Sequence, residues 1–113
     1  MKNMREVETI YANIANGINA NINASWEQAW IKATVFDDAC GVDGEYISSE
    51  TGDVSYFIVE DQAFDDFEEL HSLMTENGKP AWNRAKFTLY PTGKFSIDFE
   101  WDQALADEVE ANS

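Results

Sequence analysis

The stretch from Trp82 to Trp101, WNRAKFTLYPTGKFSIDFEW, alternates almost without a break on both sides of Pro91-Thr92-Gly93. Phe87 and Leu89 share one parity before the break, and Phe95, Ile97, Phe99 and Trp101 share one after it. Between them stand Arg84, Lys86 and Thr88, then Lys94, Ser96, Asp98 and Glu100. Successive side chains of a strand leave opposite faces, so a period of two marks a strand with one buried face. Proline presets φ early in the turn, and Gly93 can take a positive φ where the return strand begins. The segment predicts an antiparallel hairpin that carries much of a core. Any fold for this chain has to build a sheet around it.

The rest of the chain supplies the sheet's other strands and its cover. Val7, Ile10, Tyr11, Ile14 and Ile18 recur at helical spacing and predict a helix from about Met4 to about Asn19. Gly17 weakens its last turn, and the Asn-rich run from Asn19 to Ser25 reads as a loop. A meander of three strands follows: Gln28 to Asp37, Glu45 to Ser49, and Val54 to Val59. Gly41 and Gly44 are read as punctuating the first turn, and Thr51-Gly52-Asp53 the second. Asp61 to Glu76 predicts a second helix, capped by Asp61 and stopped by Asn77-Gly78 with Pro80 beyond. Its apolar face is Phe64, Phe67, Leu70, His71 and Met74, with Asp65, Glu69 and Glu76 opposite. Asp102 to Glu110 predicts a short acidic terminal helix. The expected class is α+β, with helices on a mainly antiparallel sheet in the order α-β-β-β-α-β-β and that last helix added.

At 113 residues the chain is expected to form a single domain over 1–113, with one core. Hydrophobic residues make up 44% of it, which excludes an acidic disordered tail. Cys40 stands alone, so no internal disulfide forms and a reducing compartment is expected. The N-terminal MKNMREVETIY meets acids before any apolar run, unlike a secretory signal or membrane anchor. The expected location is the cytoplasm.

Enzyme chemistry finds little to work with. One His and one Cys do not make a structural zinc site, and no Gly-rich phosphate loop opens a helix. His71 is read as a boundary residue of the second helix, and Cys40 as a small side chain beside a turn. The doublets Asp37-Asp38, Glu60-Asp61 and Asp65-Asp66 point apart on any regular element. The run Asp37 to Glu45 lacks the Asp/Asn ladder and distal Glu of a calcium loop. No cofactor, no metal site and no catalytic residue are expected.

The pattern that does carry information is the placement of charge. Twenty-two acids against seven Lys and Arg give a net charge of −15. Between Lys32 and Lys79 there are thirteen acids and no Lys or Arg, while Lys79, Arg84, Lys86 and Lys94 cluster afterwards. Such a chain repels nucleic acid and anionic membrane and attracts basic partners. Complementary potentials lift association from about 10⁵–10⁶ to about 10⁸–10⁹ M⁻¹s⁻¹ at low salt. Exposed ion pairs add only about 0–1 kcal/mol each, so tight binding also needs aromatic anchors. Tyr46, Tyr56 and Trp26 are candidates for that role, each equally readable as a sheet residue. The expected partner contacts are Asp37, Asp38, Asp43, Glu45, Tyr46, Asp65 and Glu69.

The helix IYANIANGI, the strand SWEQAWIKATVFDD, the Asp-rich helix and the tail ENGKPAWNRAKFTLYPTGKFSIDFEWD together resemble the YezG-like family of small bacterial immunity proteins. Asn77-Gly78, Trp82, Thr92-Gly93-Lys94-Phe95 and Asp98-Phe99 carry most of the likeness, which loosens between Ala39 and Val59. The resemblance implies an antitoxin that binds one cognate toxin domain, commonly a nuclease delivered by a competitor, with no catalytic residues of its own. A nuclease is basic in order to hold phosphates, so charge points the same way. Two other classes stay open at this stage: an acidic adaptor or chaperone-like module for another basic protein, and a small metal-assisted enzyme using the acid-rich loops.

Overall fold

A computed structural model of the protein describes residues 7–35, 40–76 and 82–111. The elements are α1 (Val7–Asn21), β1 (Trp26–Val35), β2 (Cys40–Ser48), β3 (Val54–Phe57), α2 (Asp61–Glu76), β4 (Arg84–Leu89), β5 (Phe95–Glu100) and α3 (Gln103–Ala111). The five strands form one antiparallel sheet in the order β3-β2-β1-β4-β5. The expected α+β class, the element order and the short last helix all hold. What joins the two halves is α2: the chain leaves the β3 edge, runs over one face, and returns as β4 beside β1.

Register sorts every strand residue onto one of two faces. Ala29, Ile31 and Ala33 lie opposite Tyr46, Gly44 and Val42 on β2, and opposite Leu89, Phe87 and Ala85 on β4. These rows pack under Ile10, Ile14 and Ile18 of α1 and Phe67 and Leu70 of α2, all fully buried. The hairpin supplies Phe87 and Leu89 to this core as expected, but β5 is the sheet's edge. Its apolar side chains are therefore only partly covered, with Phe95 44% exposed. Gly93 has φ 91°, the left-handed turn position foreseen for it.

Two local expectations are corrected. First, α1 runs on to Asn21, whose side-chain Nδ2 donates to the Gly17 carbonyl at 2.8 Å and to Glu60 Oε1 at 3.0 Å. Second, Gly41 and Gly44 lie inside β2 and not in a turn. An ideal Cβ on Gly44 would sit 2.7 Å from the Phe57 ring and 2.8 Å from Val59 Cγ2. Glycine is there because β3's side chains cross its backbone, which anchors β3 to the core. Gly44→Ala is expected to cost about 1–3 kcal/mol, the range for overpacking, and to appear as a lower Tm with unchanged far-UV circular dichroism. On α2, Asp66 is 1% exposed on the packed face, where it accepts a 3.1 Å hydrogen bond from Gln62 Nε2. Spacing from Ala63 and Phe67 puts it there, while its neighbour Asp65 is exposed.

Candidate partner-binding surface

Helices cover one face of the sheet, and the strands' other parity builds the second face. Tyr56, Glu45, Trp30, Thr88 and Ser96 form one row across all five strands. Asp43, Lys32, Lys86 and Asp98 form the next, and Gly41, Thr34, Arg84 and Glu100 the one after. Cations thus occupy the two central strands, and carboxylates the strands beside them. Lys32, Thr34, Arg84, Lys86, Asp98 and Glu100 line a shallow groove of about 270 Å³.

Lys32 and Lys86 face each other directly, a like-charge pairing that needs relief. Lys86 Nζ sits 5.0 Å above the Trp30 ring, and Lys32 Nζ lies 3.5 Å from Glu45 Oε1. Trp30 Nε1 donates to the same Glu45 oxygen at 3.1 Å. Arg84 Nε donates to Asp102 Oδ2 at 2.9 Å, and its Nη1 to Thr34 Oγ1 at 3.3 Å. Asp102 also caps α3, its Oδ1 accepting from the Leu105 amide at 3.1 Å. The Arg84 hydrogen bond, and then the Leu105 amide, hold the Asp102 carboxyl below the usual carboxylate range. Its contribution to stability is full at neutral pH. It is lost as pH falls below the ordinary carboxylate value through the lowered folded one.

Asn83 was not foreseen as important, and it ties three strands together. Its carbonyl accepts from the Val35 amide at 2.9 Å, and its own amide donates to Glu100 O at 3.1 Å. Its side chain exchanges hydrogen bonds with the Asp102 backbone, at 2.9 Å to the carbonyl and 2.8 Å from the amide. His71 is a boundary residue, with Nε2 2.9 Å from Trp82 O and its ring edge-on to the Trp82 indole. Burial, and then the charge of Glu68, push the Cys40 thiol up to about 11, which makes it a poor nucleophile. Among the described residues no group of three or more His, Cys, Asp or Glu side chains is placed to hold a metal ion. Nor is any described helix long and apolar enough to cross a membrane.

The described residues among the expected contacts do not gather in one place. Asp43 and Glu45 are on the open face, where Glu45 already serves Lys32 and Trp30. Tyr46 has the opposite parity and packs against the core from β2, while Trp26 is likewise half-buried against it. Asp65 and Glu69 belong to α2, which packs on the other side of the sheet, with Asp65 exposed and Glu69 partly so. Asp37 and Asp38 lie outside the described residues. The acid-only interval includes α2, which exposes Asp61, Asp65, Glu68 and Glu76, and α1 and α3 likewise contain no Lys or Arg.

The family model described as "Immunity protein YezG-like" matches residues 7–113. The chain belongs to the YezG-like immunity protein family. It is 29% identical to the immunity protein YezG of Bacillus spizizenii, over 88% of this chain and 71% of that one. It is 26% identical to the type VII secretion system protein EsaG of Staphylococcus aureus, over 85% of this chain and 68% of that one. With the Bacillus subtilis immunity protein YezG the identity is 24%, over 92% of this chain and 79% of the relative. The YezG-like match therefore spans both helical cover and sheet, including the middle segment where the sequence likeness is loosest.

Proposed function

We propose that this YezG-like protein is an antitoxin that binds one cognate toxin domain, one-to-one, and neutralises it. The toxin is a basic nuclease, a DNase or an RNase, delivered by a competing bacterium. The family match over residues 7–113 carries the reading. The net charge of −15 supports a basic partner, and nucleases carry cations for phosphate binding. One relative is named as a type VII secretion system protein, which suits an immunity partner for a secreted effector. The protein acts by occupying the toxin, with no catalytic step and no cofactor, in the cytoplasm where the toxin's nucleic acid lies.

In this reading acidic side chains, among them Asp43, Glu45, Asp65 and Glu69, guide the encounter. The test is co-expression with the C-terminal domain of the effector encoded in the neighbouring reading frame. Rescue of growth together with a one-to-one complex is the expected result. A cell that dies despite soluble antitoxin discards the pairing.

A further inference from the structure

The unguarded edge of the sheet is β3. Val54 and Tyr56 on β3 and Ile58 just beyond its end recur at every second position and are 51%, 78% and 82% exposed. Such a row of large apolar side chains on an outer strand invites pairing with another chain, and proteins normally block it with charge, proline or a bulge. The run Val54-Ser55-Tyr56-Phe57-Ile58-Val59 has none of these residues. The other edge does: β5 carries Asp98 and Glu100.

The backbone at β3 is also set for an added strand. Ser48 N–H donates to Asp53 C=O at 3.0 Å, which makes them a hydrogen-bonded pair. Bonded and non-bonded pairs alternate along an antiparallel ladder. Tyr46–Ser55 and Gly44–Phe57 are the next bonded pairs, so Val54 and Tyr56 direct their N–H and C=O away from β2. Phe57 and Val59, pressed over Gly44, hold β3 in place from the helix side.

Charge selects the occupant. Asp53 precedes the row, Glu60 follows it and Asp43 lies on β2, all three exposed, while no Lys or Arg occurs between Lys32 and Lys79. A second copy would bring the same acids and another net charge of −15. We propose that the toxin domain docks here, adding an extended segment to β3 as a sixth strand. Its apolar side chains cover Tyr56 and Ile58, and its Lys or Arg residues reach Asp43 and Asp53. This rests on the antitoxin reading and names the surface that reading leaves open.

The experiment titrates wild-type protein and the Tyr56→Ala/Ile58→Ala double variant against the purified effector C-terminal domain. In parallel, NMR hydrogen exchange follows the Val54 and Tyr56 amides. The expected result is a Kd raised about 30-fold or more in the variant, the effect of losing hot-spot anchors. In the wild-type complex the Val54 and Tyr56 amides should exchange far more slowly than in the free protein. Should the double variant lose its cooperative melt, Val54→Pro replaces it, since that amide makes no bond to β2. Wild type that binds the toxin no better than the variant, with both amides unprotected, overturns the docking edge and leaves the antitoxin reading standing. Wild type that does not bind at all overturns both. Self-association of the wild type alone, abolished by the double variant, makes a second copy the occupant and also overturns the proposal.

Discussion

Phe87→Ala is expected to lower stability by about 3–5 kcal/mol, the cost of emptying a well-packed aromatic site. Phe87 is fully buried on β4, under α1 and beside two other rings. Its centroid lies 5.1 Å from Phe95, nearly parallel, and 6.1 Å from Tyr11. Tyr11 in turn sits 5.5 Å from Phe95, so the three rings close on one another and neither neighbour can refill the site alone. A domain of this size is stable by only about 5–15 kcal/mol, so one truncation removes a large share. The Tm should fall by more than about 12 °C. Phe95→Ala provides the comparison. That ring is 44% exposed at the sheet edge, and its loss should cost only about 1–2 kcal/mol. Equal losses at the two positions, measured by urea unfolding, would show that the hairpin's first strand does not carry the core.

The second large effect is kinetic. Asp43→Lys, Asp65→Lys and Glu76→Lys, made together, are expected to slow association with the toxin domain about tenfold or more at low salt. All three side chains are exposed. Dissociation should change by less than about threefold, because isolated surface ion pairs contribute little once the complex has formed. The difference between variant and wild type should shrink as salt rises, since the Debye length falls to about 3 Å at 1 M. Stopped-flow association across a salt series checks this. An unchanged association rate at low salt sinks the steering role even if the protein proves to be an antitoxin. Tyr56 and Ile58 should behave oppositely, raising dissociation and leaving association nearly alone.

Much of the architecture was legible because it is encoded locally. The alternation in KFTLY and FSIDF specifies two strands, and Pro91-Thr92-Gly93 specifies the turn between them. The helix expected from Asp61 to Glu76 is α2 at those bounds, with Asp61 as its first helical residue and not the cap before it, while the expected stop at Asn77-Gly78 and Pro80 lies outside the described residues. The family resemblance was likewise readable from short segments, chiefly the tail.

What could not be read depends on partners far away along the chain. Period two says that Glu45 and Tyr46 face opposite ways, yet not which of them faces the helices. That was decided by α1 and α2 settling on the face of Ile31 and Phe87, which sent Tyr46 inward and left Glu45 beside Lys32. Gly44 looked like a turn residue until β3 was seen to lie across it. Lys32 became a neighbour of Arg84 and Lys86, some fifty residues further on, only because β4 returns to pair with β1. By itself the sequence determined the elements, the excess of negative charge and the family, since each is a sum over residues or a short-range pattern. Only the tertiary structure decided which strand is left bare at the edge and which charges share a face, because strand order is set by long-range packing of the core.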